Sequence, residues 1–266
     1  FGDGADLNAA SLVALLAPWI APHDAEQINL KSRWAIPSLG HPFGQDELGR
    51  DVFSRAMHAG RISLAVGYIS AVGVALTGTV VGVVAGYYGG IPDSVLMRIV
   101  DILLSLPTIP LYLIMAALIP GGGVDRIILI FVVFGWTGVS RLVRGQVLSL
   151  REQDFVEAAR ALGASGARIM LRHLIPNALA PIIVATTLAV GGFILAESGL
   201  SYLGLGIQPP TPSWGNMLQR AQEYIWNASW LAVFPGVLIF ITVLSFNFLG
   251  DGLRDVLDPR LKTARD

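Results

Sequence analysis

DFVEAARALGASGARIMLRHLIP, residues 154–176, is a basic, glycine-hinged stretch between two long apolar runs, and its reading decides the rest of the chain. Phe155, Ala158, Ala159 and Leu162 fall at i, i+3, i+4 and i+7, the spacing that sets residues on one face of a helix. Gly163 and Gly166 permit a sharp change of direction there. Ile169, Met170, His173 and Leu174 form a second apolar face, and Pro176 marks the entry to the next run. The pattern predicts two short helices at a membrane surface, with two alanines allowing close approach by a partner. Two uses are open to Glu157: an ion pair with Arg160 at i, i+3, or a reach across to a partner. His173, between Arg172 and Leu174, reads as a surface or packing residue.

The flanks of this stretch are those of a membrane protein. Of 266 residues, 53% are hydrophobic and 14% charged, against roughly 25% charged in a soluble domain; mean hydropathy is +0.63. The absence of cysteine excludes disulfides, thiolate zinc sites and cysteine nucleophiles. Histidines 23, 41, 58 and 173 form no HExxH and no close pair in sequence, which favours isolated roles over metal binding. A net charge of −1 gives no nucleic-acid signal. Lys31 and Lys262 are the two lysines, and neither follows the glycines of a phosphate loop. ATP-driven work would need an engine on another subunit.

Outward from the central stretch, Leu174 to Ala196 reads as one span on the C-terminal side. Residues 197–223, rich in Gly and Pro, are too polar to cross, and a last span comes from Tyr224 to Gly250, followed by the tail 252–266. On the N-terminal side, Ile127 to Ser140 must continue past Arg141 to fill a bilayer, with Arg141 and Arg144 snorkelling to the headgroups. Ile102 to Val124 is interrupted by Pro107 and Pro110, which kink it either to line a pathway or as a packed structural feature; Asp101 sits at its edge. From Arg61 to Asp93 no charge intervenes. Within that run Ser63, Gly67, Ala71 and Ala75 fall four apart, as do Gly78, Gly82 and Gly86, a spacing that lets helices approach closely in lipid, within one bundle or between subunits. Residues 22–60 form a polar connection whose DELGRDVFSR segment reads equally as a solvated salt-bridged face or a docking element. Ala9 to Ala21 would span only about 20 Å, and because the first residue is Phe1 we read residues 1–21 as the end of a truncated first span. Placing residues 154–176 in the cytoplasm puts eleven basic residues on that side and seven on the other, in line with the positive-inside bias.

EAARALGASGARIMLRHLIP resembles the EAA signature of permease subunits of bacterial ABC importers: EAA, three residues, Gly, nine residues, Ile, any residue, Leu, Pro. Glu157, Ala158, Ala159, Gly163 and Pro176 match it, while His173 and Ile175 replace the consensus Ile and Leu. Those departures, with Arg172, Pro176 and Asn177, resemble the dipeptide, oligopeptide and nickel branch. PFGQDELGRDVFSR at 42–55, ESGLSYLGLGIQPPTPSWGNML at 197–218 and LGDGLRDVLDPRL at 249–261 are similar to the same branch, with Gln45 where Thr is common. The resemblance implies an all-α polytopic membrane protein, a type I ABC importer transmembrane domain over 61–251 with six helices, the first shortened here. It implies half of a pore for di- or oligopeptides, or for nickel or another small solute. The implied partners are a homologous second permease, two ATP-binding subunits, an extracytoplasmic solute-binding protein and membrane lipid. No cofactor belongs to this chain; ATP and Mg are bound by the partner subunits. Phe155, Glu157, Ala158, Ala159, Arg160, Leu162, Gly163 and Ala164 would couple to an ATPase, and Pro209, Pro210, Ser213 and Trp214 would contact the binding protein. An intramembrane enzyme lacks a motif here, and an ion-driven transporter lacks charges inside the spans.

Overall fold

The computed structural model describes residues 21–257. The first apolar run therefore lies outside the described residues, except for Ala21. Among the described residues there is no β-strand. The principal apolar helices are α1 (Val52–Tyr88), α2 (Gly90–Ser105), α3 (Thr108–Leu118), α4 (Val124–Gly135), α5 (Thr137–Leu150), α7 (Gly166–Tyr202) and α9 (Trp230–Leu257). Two shorter helices accompany them, α6 (Asp154–Ala161) before α7 and α8 (Trp214–Glu223) between α7 and α9. α1, α7 and α9 are each long and apolar enough to cross a bilayer. Helices α2 and α3 make a bent pair broken by 90°, and α4 and α5 another bent by 41°, giving up to five spans in the described chain.

The breaks follow from residue chemistry. Pro107 holds extended backbone and caps α3, because its ring disfavours helix at the residue before it and it has no N–H to donate. The proline kink expected within this run is thus a right-angled turn between two helices. Inside α7, Pro176 can donate nothing back to residue 172, and the helix passes through a single π turn at Met170–Leu174, a common device where the α ladder is interrupted. Asn177 Nδ2 donates to the His173 carbonyl at 2.6 Å, satisfying one of the acceptors at the irregular turn.

Helix α1 is the axis of the bundle and packs chiefly against α5, α7 and α4. It begins at Val52, ahead of the charge-free run, so Arg55, His58 and Arg61 lie on it. The reason is a cap: the Asp51 carboxylate accepts from Ser54 N at 2.7 Å, a contact worth about 1 kcal/mol. The evenly spaced small residues are all buried, and they serve packing inside the chain. A methyl group on Gly67 would sit 2.7 Å from Ile194 of α7, one on Gly82 2.6 Å from the Ser140 carbonyl oxygen, and one on Gly86 2.8 Å from Val147.

At about 1.5 Å per residue α1 is roughly 55 Å long, and it separates two polar layers. At its N-terminal end lie the connection and α8. There residues 46–51 of DELGRDVFSR form a compact turn that leads into the first turn of α1, and the segment is not a solvated face: Arg50 pairs with Asp46 at 2.7 Å and Glu47 at 3.0 Å, and Glu47 also accepts from Arg220 at 2.8 Å. Gly49, at φ +72°, lets the Asn29 carbonyl approach where no side chain fits. Arg126 closes this layer. Its buried guanidinium donates to the carbonyls of Ala116 and Ile119, left open at the end of α3, and to those of Leu205 and Gly206. At the C-terminal end of α1, Arg144 grips Asp93 through two bonds of 2.5 and 2.6 Å, and Arg141 pairs with Asp101. These arginines, expected to snorkel, instead tie α5 to α2.

Candidate coupling site

The C-terminal end of α1 meets the stretch that opened the sequence reading. Arg151, just past α5, donates from Nη1 to the Gly86 carbonyl at 3.0 Å, taking up an acceptor in the last turn of α1. Helix α6 follows at once, with Asp154 and Glu157 in its first turn and Arg160 in its last, the order that complements a helix dipole. Val156 is its fully buried root, and Ala159 and Ala164 pack partly against the core. Arg160 lies with its guanidinium 5.6 Å from the Tyr87 ring of α1, so the local Glu157–Arg160 pair is not formed. Gly166 abuts the same ring: a methyl group there would sit 3.0 Å from it.

The apolar face read at Phe155, Ala158, Ala159 and Leu162 divides. Ala159 turns inward, while Phe155, Ala158 and Leu162 are exposed, Leu162 at 89%. Glu157 is exposed beside them. The register is set by Val156, which sits on the opposite side of the helix and takes the core position that periodicity alone gave to its neighbours. Phe155 is braced by His173, with ring centroids 6.4 Å apart.

Gly163 ends α6 at φ +77°. Its N–H donates to the Arg160 carbonyl at 2.9 Å and the next N–H, of Ala164, to Ala159 at 3.0 Å. This is the paired Schellman ending that a left-handed residue makes possible. Ser165 then caps α7 through its hydroxyl, which accepts from Arg168 N. One short helix is therefore joined to three long ones: to α5 by chain continuity, to α1 through Arg160 on Tyr87, and to α7 through the turn 163–165, while Arg151 fixes the end of α5 to α1.

At the opposite end, the four residues expected to meet a binding protein separate. Pro209 and Pro210 are exposed, joined by a cis peptide bond. Ser213 and Trp214 are buried and unavailable to a partner. Ser213 caps α8 in a reciprocal box with Asn216, and Trp214 Nε1 donates to the Ala56 carbonyl at 2.9 Å. The reason for their burial is Glu197. Placed at the start of a polar loop by sequence, it lies within α7 and is fully buried. Its carboxylate accepts from Ser201 Oγ at 2.7 Å and Ser63 Oγ at 3.2 Å. Ser63 Oγ in turn accepts from Trp214 N, and Ser201 Oγ from Ile207 N at 3.0 Å. The network locks the segment 203–213 onto α1 and α7. Its sequence signal was the i, i+4 spacing of Glu197 and Ser201 inside an otherwise apolar helix.

The architecture defines a multi-pass helical membrane protein of the ABC importer permease fold. The chain belongs to the family of binding-protein-dependent transport system inner membrane components, whose pattern matches residues 78–263. It is 42% identical over 252 residues to the dipeptide transport system permease protein DppC of Alkalihalophilus pseudofirmus, covering 95% of this chain and 83% of the relative. It is 46% identical over 255 residues to the glutathione transport system permease protein GsiD of Escherichia coli, covering 94% and 83%. A solved structure of the MetNI methionine ABC transporter, inward facing, shares the fold with TM-score 0.59 at 23% identity, covering 74% of this chain and 93% of that one. The resemblance to the peptide branch of importer permeases is borne out, as is location in the bacterial inner membrane.

Proposed function

We propose that this chain is the permease half of an ATP-driven importer of small peptides, and that α6 is the contact through which an ATP-hydrolysing subunit moves it. The observation that carries the reading is the division of α6. Val156 anchors it, while Phe155, Glu157, Ala158 and Leu162 are exposed at the end of the bundle. The chain holds no phosphate loop, so hydrolysis belongs to partners, which bind ATP and Mg. Substrate class follows the relatives, one named for dipeptides and one for glutathione, itself a short peptide.

The mechanism is mechanical. Closing of the ATPase pair displaces α6, and the three ties of the coupling site pass that displacement to α1, α5 and α7 together. The bundle needs two packings of similar free energy, whose balance the ATPase shifts by contacting α6 differently in each. On the outer side the exposed turn at Pro209 and Pro210 receives the solute-binding protein. A homologous second permease completes the pore.

The test is ATP-dependent uptake of a labelled dipeptide into proteoliposomes holding the full transporter. Glu157→Ala together with Leu162→Ala removes exposed side chains without touching the anchor. Uptake and peptide-stimulated ATPase activity should fall together, with the permease still inserted and assembled with its second permease. Uptake equal to the parent transporter would refute the assignment of α6.

A further inference from the structure

Sequence spacing separates His23 from His41 by eighteen positions, but the fold brings them face to face above the first turn of α1. Their rings lie 4.6 Å apart between centroids. His41 Nδ1 and Asp51 Oδ1 are 2.9 Å apart, and a donor atom from each of His23, His41 and Asp51 lies within 4.8 Å of the other two. Asp51 is buried and held by Ser54 N through its other oxygen. The His23 backbone N–H donates to Ser54 Oγ at 3.2 Å, and its ring Nε2 lies 2.9 Å from the Gly40 carbonyl oxygen. The three groups border a polar cavity of about 200 Å³ that Asp24, Gln27 and Asn29 also line.

We infer that His23, His41 and Asp51 form an outer-face binding site for a divalent first-row transition ion, one that staples the connection 21–51 to the start of α1. Ligands on one tetrahedral ion, at bonds of about 2.0 Å, are about 3.3 Å apart. The His41–Asp51 pair, at 2.9 Å, need open by only a few tenths of an ångström, and the proton that bridges it would be displaced to solvent by an incoming cation. No two of the three donor atoms are more than 4.8 Å apart, so small ring movements would close the site, and the cavity leaves room for a water as fourth ligand. Two imidazoles and one carboxylate, without a thiolate, suit Zn²⁺, Ni²⁺ or Cu²⁺ rather than Mg²⁺ or Ca²⁺, which take oxygen ligands. The consequence is local order. The ion would join two loop segments to the α1 cap, on the side where the exposed turn 209–210 also lies.

The experiment uses the purified full transporter, affinity tag removed and metal stripped, with Zn²⁺ as the probe against a chromogenic chelator. The parent protein should take up one Zn²⁺ per copy of this chain and gain thermal stability, with no response to Mg²⁺ at the same concentration. His23→Ala, His41→Ala and Asp51→Asn should each lose more than the about 10–100-fold that disturbing an outer-shell partner costs. Asp51→Asn keeps the helix cap, so its loss reports the ligand and not the fold. His58→Ala, on the same helix but outside the triad, should bind as the parent does. A cobalt-loaded parent sample should show the absorption of a tetrahedral nitrogen and oxygen site. Zn²⁺ uptake absent from the parent, or unchanged in all three variants, would overturn the site.

Discussion

Gly163→Ala isolates the geometry of the turn that joins α6 to α7. Gly163 sits at φ +77° with nothing within 4 Å of the place a methyl group would occupy. The substitution therefore creates no clash, and its whole cost is the left-handed backbone, about 1–2 kcal/mol for an L-residue. At 1.4 kcal/mol per factor of ten in an equilibrium, the properly turned population should fall by roughly 5- to 30-fold relative to competing conformations. The cost is expressed at the two cap bonds, from Gly163 N and Ala164 N, so α6 frays while the spans stay packed. Gly163→Asn provides the matching rescue, because Asn tolerates the left-handed region better than Ala. The assay is peptide-stimulated ATPase activity of the reconstituted transporter, with membrane insertion measured in parallel. Coupling should rank Gly above Asn above Ala with insertion constant, and Gly145→Ala, at an uncrowded position inside α5, should behave as the parent. Equal coupling in the Ala and Gly proteins, or Asn no better than Ala, would refute the reasoning.

Other perturbations follow from the same contacts. Glu197→Leu leaves the Ser63 and Ser201 hydroxyls without their buried acceptor, at about 1–3 kcal/mol for each unsatisfied group; Glu197→Gln retains an acceptor and should unfold at a temperature nearer the parent's in a detergent melt. Gly82→Val drives a side chain into the Ser140 carbonyl oxygen at 2.6 Å and should abolish stable assembly, while Gly192→Ala, with open space around it, should leave thermal stability within about 0.5 kcal/mol. Cysteines placed at Leu39 and Leu162, both exposed, should be labelled by an impermeant maleimide from opposite sides of oriented vesicles; labelling from the same side would reverse the topology.

The helical bundle was legible because lipid allows few alternatives: an apolar run must satisfy its own backbone and becomes a helix. The small residues of α1 could be read as packing surfaces, since their spacing of four matches the ridge that meets α5 and α7. The breaks were less legible. A proline announces an interruption but not its angle, and the turn at Pro107 depends on where α2 is held by Arg144 and Arg141. In the coupling stretch, periodicity found the right helix and the right glycine corner, but it could not say which side was anchored. Val156 decides that, by its complete burial in the core. Ser213 and Trp214 looked like surface residues in a Gly- and Pro-rich loop; a carboxylate buried in the preceding helix draws them inward. The His23 and His41 pairing was hidden for the same reason, since a folded connection and not a local motif creates it.

The most direct test of the coupling assignment is a photo-reactive residue at position 162, where the parent Leu is 89% exposed, in the intact transporter. Illumination followed by mass spectrometry should place the adduct on an ATP-hydrolysing subunit, with a yield that changes when ATP is bound. Adducts confined to lipid, or to a protein that hydrolyses no ATP, would contradict the account.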